Sequence, residues 1–181
     1  MTATLLLQEF GSFAAVLDGS TARLRRAGAD DRAIDALRWC RNAVLLSLRR
    51  RAFERPMIGS SSALRDYLRV DMGTGSRERL RTLHLNARNE LLSDDETSIG
   101  TIDAAPFYPR EIIGRAIDVG ASSIILVHNH PSGDPRPTPC DVKATIALER
   151  LCAGLDITLL DHLVVGRHEI VSLRSLGLLA R

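Results

Sequence analysis

Leu6, Phe10, Phe13 and Leu17, then Ile34, Leu37, Val44, Leu45 and Leu48, recur at helical spacing, so residues 3–51 read as helices. Gly19-Ser-Thr and Gly28-Ala-Asp-Asp interrupt them, and Asp30 or Asp31 suits the N-cap of the long third segment. Trp39 falls among apolar helix positions and reads as core. Pro56 and Gly59-Ser-Ser-Ser62 mark a linker, and Ala63 to Val70 makes one more short helix before Gly73-Thr-Gly75.

Beyond that point the pattern changes. Glu78 to Asn86 partly alternates, Asn86-Ala-Arg-Asn89 is a turn, and Glu90 to Ser93 and Thr97 to Ile102 follow as antiparallel strands. A helix opens at Pro109 and closes at Gly120. Ser122 to Val127 is short, nearly all apolar and rich in β-branched residues, which predicts a buried strand. A helix from Thr138 to Gly154 leads to a second buried strand, Ile157 to Val165, and Gly166-Arg-His-Glu169 turns into Ile170-Val-Ser172. The prediction is a helical unit at 1–55, a linker and short helix at 56–76, and an α/β (α+β) domain at 77–181 with helices around one mixed sheet.

Composition narrows the class. The chain has 181 residues, 45% hydrophobic and 25% charged, as in ordinary globular proteins. Its longest stretch free of Asp, Glu, Lys and Arg, Val119 to Gly133, is 15 residues, whereas a membrane span takes about 20 apolar ones. The first ten residues lack the basic start of a secretory signal, which predicts a cytoplasmic protein without membrane association. Cys40, Cys140 and Cys152 form no Cys-x-x-Cys pair and read as reduced thiols. Charge is uneven: residues 1–55 carry 10 Arg against 6 acids, and residues 56–181 carry 14 basic residues against 16 acids.

The chemistry concentrates in Val127-His-Asn-His-Pro-Ser-Gly-Asp-Pro-Arg-Pro-Thr-Pro-Cys-Asp141. His128 and His130 lie two apart at the end of the buried strand, so period-two geometry points both rings to one face and turns Asn129 away. Pro131 ends strand pairing, and the turn to Pro137 can bring the next helix back beside the histidines. Thr138 suits that helix's N-cap, Pro139 its first position and Asp141 its third, where a carboxylate is favoured and can aim at a shared metal. Two imidazoles and one carboxylate leave a fourth tetrahedral position open, as in catalytic rather than structural zinc sites. Singly, each feature has an ordinary explanation as core histidine, helix cap or loop; the fixed spacing of all of them together favours the metal site.

That spacing resembles the JAMM motif of JAB/MPN-domain metallopeptidases, and His128-Asn-His-Pro-Ser-Gly-Asp-Pro135 with Leu160-Asp-His162 is similar to the bacterial RadC family. The resemblance covers about residues 59–181 and implies the JAB/MPN, cytidine-deaminase-like fold. It implies zinc (Zn2+) held by His128, His130 and Asp141, with Thr138 in place of the family's serine as a donor to the oxyanion. The family's upstream glutamate, which acts on the zinc-bound water, falls on Glu78 in Glu78-Arg-Leu80, with Leu85-Asn86 following and Leu80 replacing an aromatic; Glu90 is a second candidate, while Glu111 reads as structural. Residues 1–55 would occupy the place of a helix-hairpin-helix module, but Arg26-Ala-Gly28-Ala-Asp-Asp31 puts acids where a phosphate would approach.

The implied activity is hydrolysis of a peptide or isopeptide bond in a protein or peptide substrate, with Glu78 carrying a proton from water to the leaving amine. The main rival is a RadC-like scaffold or binding module for nucleic-acid transactions, whose support is the Arg-rich segment Ala22 to Arg55. A phosphoesterase using His128, His130, Asp134 and Asp161 is weaker, because aspartate in Ser-Gly-Asp-Pro serves backbone hydrogen bonding. Of adjacent Asp161 and His162 only one can face the metal side, and that pair reads as a hydrogen-bonding support rather than as ligands. His84 reads as structural or solvent-facing.

Overall fold

In the computed structural model, which describes residues 3–53, 62–75, 77–99 and 107–179, serine caps start two of the first helices. Helices α1 (Ala3–Phe10), α2 (Phe13–Leu17), α3 (Thr21–Arg26) and α4 (Asp31–Phe53) follow one another. Ser12 accepts from the N–H of Ala15 and Ser20 from that of Arg23, both at 3.2 Å. Asp30 rather than Asp31 caps α4, accepting from Ala33 N at 2.8 Å; Asp31 instead pairs with Arg25.

The chain divides into two units, Met1–Leu48 and Arg49–Arg181. The first is held by Leu6, Phe10, Val16, Leu24, Ala29 and Ile34. Trp39, expected in the core, is 77% exposed, because α4 runs on past this small cluster and carries Val44 and Leu46 into solvent as well.

In the second unit, α5 (Ser62–Met72) buries Leu64, Tyr67, Leu68 and Met72. The proposed linker at 56–61 lies outside the described residues. Strands β1 (Arg79–Leu85), β2 (Leu91–Ile99), β3 (Ser123–Asn129), β4 (Thr158–Val165) and β5 (Ile170–Ser172) form one sheet in the order β2-β1-β3-β4-β5. β3 and β4 are parallel, joined across a helix, α7 (Pro139–Ala153); the other pairings are antiparallel. The sheet is thus mixed and flanked by helices, as expected. Every residue of β3 is buried. One face packs Leu80, Ile124, Leu126, Leu159 and Val164 against Leu148 and Cys152 of α7 and Ile112 and Ala116 of α6 (Pro109–Asp118).

The expected break between two strands at Asp94 to Glu96 is absent, and β2 runs through it. Three acids are tolerated there because each meets a base: Asp94 Oδ1 lies 3.1 Å from Arg81, Asp95 accepts from Arg115 at 3.1 Å, and Glu96 from Arg79 at 2.5 Å. Helix-period or alternation rules cannot see such pairing between elements. Asp94 and Arg81 are both mostly buried, but Arg81 keeps Asp71 at 2.5 Å and the Tyr67 hydroxyl, so Asp94→Ala should cost about 2 kcal/mol, the order of one charged contact. A urea titration checks this, and a loss under about 1 kcal/mol would make the pair a surface-like bridge.

His84 is buried, with neither ring nitrogen hydrogen-bonded among the described residues. Burial lowers its pKa below the usual 6.5, with Asp95 opposing. The unfolded chain therefore protonates first, and stability present above about pH 6.5 is lost as pH falls toward the folded value. The urea midpoint of His84→Leu should gain on that of wild type between about pH 7.5 and about pH 5.5, and midpoints that fall in parallel would remove His84 from the acid response.

Candidate metal centre

β3 ends at Asn129, and the rings of His128 and His130 flank it on one side, with their Nε2 atoms 2.9 Å apart. α7 starts beside them with Thr138 as N-cap and Pro139 in the first turn. Its capping box is closed twice: Thr138 Oγ1 accepts from Asp141 N at 3.2 Å, and Thr138 N donates to Asp141 Oδ2 at 2.7 Å. So held, the carboxylate of Asp141 lies 3.5 Å from His128 Nε2 through one oxygen and 3.5 Å from His130 Nε2 through the other. The three potential ligand atoms all lie within 4.8 Å of one another.

The loop between strand and helix is fixed by backbone approach. His130 N donates to Val165 O, and Arg167 N to Gly133 O, both at 3.0 Å. Gly133 has φ +87, and a Cβ on Gly166 would fall 2.6 Å from Gly133 O, so both positions demand glycine. This docking sets the carbonyl of Asp134 2.8 Å from His130 Nδ1.

The hydrogen-bond network sets which ring nitrogens face the centre of the cluster. The hydroxyl of Thr145 donates to the carbonyl of Asp141 at 2.5 Å, so its oxygen accepts from Nδ1–H of His162 at 2.6 Å. His162 is fully buried, and burial with the neighbouring His128 holds its pKa well below 6.5, so it is neutral. Its bare Nε2 accepts from Nδ1–H of His128 at 2.7 Å, which leaves His128 Nε2 as a lone pair. His130 spends its Nδ1–H on Asp134, leaving its own Nε2 bare. These tautomers follow from the hydrogen-bond network. Two ring nitrogens and a carboxylate then converge, an arrangement that favours a positive charge, whether proton or metal cation, in the gap. Ligand atoms about 2.0–2.1 Å from a tetrahedral zinc are spaced roughly 3.4 Å apart; each histidine Nε2 stands 3.5 Å from one of the two Asp141 oxygens, and the two Nε2 atoms stand 2.9 Å apart. The donor set fits zinc.

Electrostatics favour positive charge at that place. Burial would raise the pKa of Asp141, but its contacts with His128, His130 and Thr138 hold it far below the carboxylate range. His130 is raised above 6.5, chiefly by Asp141, against desolvation; Asp134 and Glu78 add to the rise. A cation and a proton thus compete for one place. Glu78, half-buried just before β1, is close enough for its charge to bear on His130.

A model of the RadC-like JAB domain matches residues 58–178, from before α5 through β5 and including every residue of this cluster. The chain belongs to the RadC-like JAB family. It is 40% identical over 175 residues to a UPF0758 protein of Rhodobacter capsulatus, covering 96% of this chain and 82% of that one. A UPF0758 protein of Ruegeria pomeroyi is 39% identical over 178 residues, covering 98% and 80%.

Within this RadC-like domain the other candidates stand elsewhere. Glu90 is exposed and accepts from Asn86 in the β1–β2 turn, at the opposite end of β1 from the pair Leu80 and His128. Glu111 is exposed on α6, beside His84. Asp134 pairs with Arg136, and Asp161 accepts from His162 N, Ser172 and Arg174 N, so neither carboxylate joins the histidines. No helix among the described residues is long and apolar enough to cross a membrane. Thr145 escaped the sequence reading, although a threonine four residues after a helical carbonyl commonly bonds back to it, as here to Asp141. Removing its hydroxyl in Thr145→Val should free the tautomer of His162 and weaken zinc binding by about 10-fold to 100-fold in chelator competition. Unchanged affinity would show that His128 keeps its orientation without the relay.

Proposed function

We propose that the protein is a zinc-dependent hydrolase of the JAMM type, cleaving a peptide or isopeptide bond in a protein or peptide substrate. The observation that carries this reading is the convergence of the Nε2 atoms of His128 and His130 on the carboxylate of Asp141. Three protein ligands leave a position for water and substrate, the arrangement of catalytic rather than structural zinc. Zinc held there would lower the pKa of a coordinated water to about 7 and polarise the substrate carbonyl.

This chain's residues supply the rest. Glu78 would take the proton of the attacking water and pass it to the leaving amine, which requires a carboxylate next to the metal ligands; its influence on His130 supports that position. Thr138 spends its hydroxyl proton on Asp141 Oδ2 at 2.7 Å, so its first role is to aim that ligand. Donation to the oxyanion would follow when that bond opens. The thiols of Cys40, Cys140 and Cys152 are free, which supports a reducing, cytoplasmic setting.

Metal analysis with an assay on a panel of peptide and isopeptide substrates tests the reading. Wild type should carry about one zinc per chain, His128→Ala and Asp141→Ala little, and Glu78→Gln a full complement with turnover reduced at least about 100-fold. Undiminished turnover in Glu78→Gln would remove that residue from the mechanism. Zinc without turnover on any substrate would favour the scaffold reading.

A further inference from the structure

We infer that Asn129 is a positioning residue for Glu78, a role that rests on the hydrolase reading above. The backbone ladder between β1 and β3 ends at the pair Leu80 and His128. The next rung is made by a side chain. Asn129 Oδ1 accepts from the N–H of Arg79 at 2.9 Å, and its Nδ2 donates to the carbonyl of Arg77 at 3.1 Å. Those two groups belong to the peptide units on either side of Glu78, so one amide holds both flanks of that residue.

The requirement is for asparagine. A single planar group must offer one acceptor and one donor at once; aspartate offers two acceptors, and a hydroxyl cannot span both. Asn129 is 1% exposed, and a Cβ on Gly75 would sit 3.0 Å from Nδ2, so glycine at position 75 leaves the amide its place. Its own backbone is anchored by pairing with Val165 of β4. Because His128 and His130 are its chain neighbours and face the other way, Asn129 ties Glu78 to the same rigid segment that carries two of the three ligands. Distance between base and ligands is thereby set by a few covalent bonds and two hydrogen bonds, the kind of preorganisation on which proton transfer depends.

The test uses full-length protein loaded with cobalt(II), following the pH titration of its visible spectrum, together with zinc affinity and amide exchange. Asn129→Leu keeps the volume and removes both hydrogen bonds without adding charge; Asn129→Ala removes the amide. Both should keep zinc affinity within about threefold of wild type, since the ligands are untouched, whereas support of a ligand histidine would cost about 10-fold or more. Exchange at the Arg79 amide should quicken at least about tenfold in Asn129→Ala. The cobalt titration midpoint should move in both variants in the direction it moves in Glu78→Gln, and Asn129→Leu combined with Glu78→Gln should match Glu78→Gln alone. A midpoint that moves in Glu78→Gln but not in either Asn129 variant, or shifts that simply add, would overturn the inference and leave the hydrolase reading standing. A midpoint unmoved in Glu78→Gln itself would overturn both assignments. A loss of zinc affinity beyond tenfold would assign Asn129 to the histidines and overturn its link to Glu78.

Discussion

The position of β3, paired antiparallel to β1 on one side and parallel to β4 on the other, governs everything around the site. A strand covered on both faces and both edges must be apolar along its length, and Ile124 to Val127 satisfy that. Its last residues then emerge beside the ends of two neighbours at once. β1 delivers Glu78 on one flank, and β4 delivers His162 and the Val165 carbonyl on the other. The parallel partner also requires a crossover, and α7 fills it, so the helix N-terminus carrying Asp141 starts one tight loop beyond the histidines.

That loop is held by surfaces too close for side chains. Gly133 and Gly166 meet backbone to backbone, and the contact orients the Asp134 carbonyl that fixes the tautomer of His130. His128 is fixed from the opposite direction by the buried sequence His162 to Thr145 to the Asp141 carbonyl. The two histidines thus present the same nitrogen to the same point for independent reasons. Asp141 is linked to both arrangements, through its carboxylate at the site and its carbonyl in the relay. Disturbing one ligand therefore loosens the others, the behaviour expected of a preorganised site.

Much of this was legible in the sequence. The β-branched run before His128, the proline-rich turn, and the Thr-Pro-x-Asp start of α7 are local signals, each with a local cause in strand geometry, fixed φ or helix capping. What periodicity missed were features decided by pairing across the chain. β2 is continuous through Asp94, Asp95 and Glu96 because Arg79 and Arg81 of β1 and Arg115 of α6 meet the three acids, and Trp39 is exposed because α4 outruns its neighbours.

The sequence by itself determined the residue types of the cluster, their spacing and the elements that carry them, because neighbours at the end of a strand and a capped helix start are set by short-range geometry. Only the tertiary structure decided how Asn129, Thr145 and His162 act, since their hydrogen bonds join residues 17 to 52 positions apart or draw on a register between strands. The physical reason is that hydrogen bonding within the site is a matter of which lone pair meets which proton. That pairing exists only once β1, β4 and α7 have packed around β3.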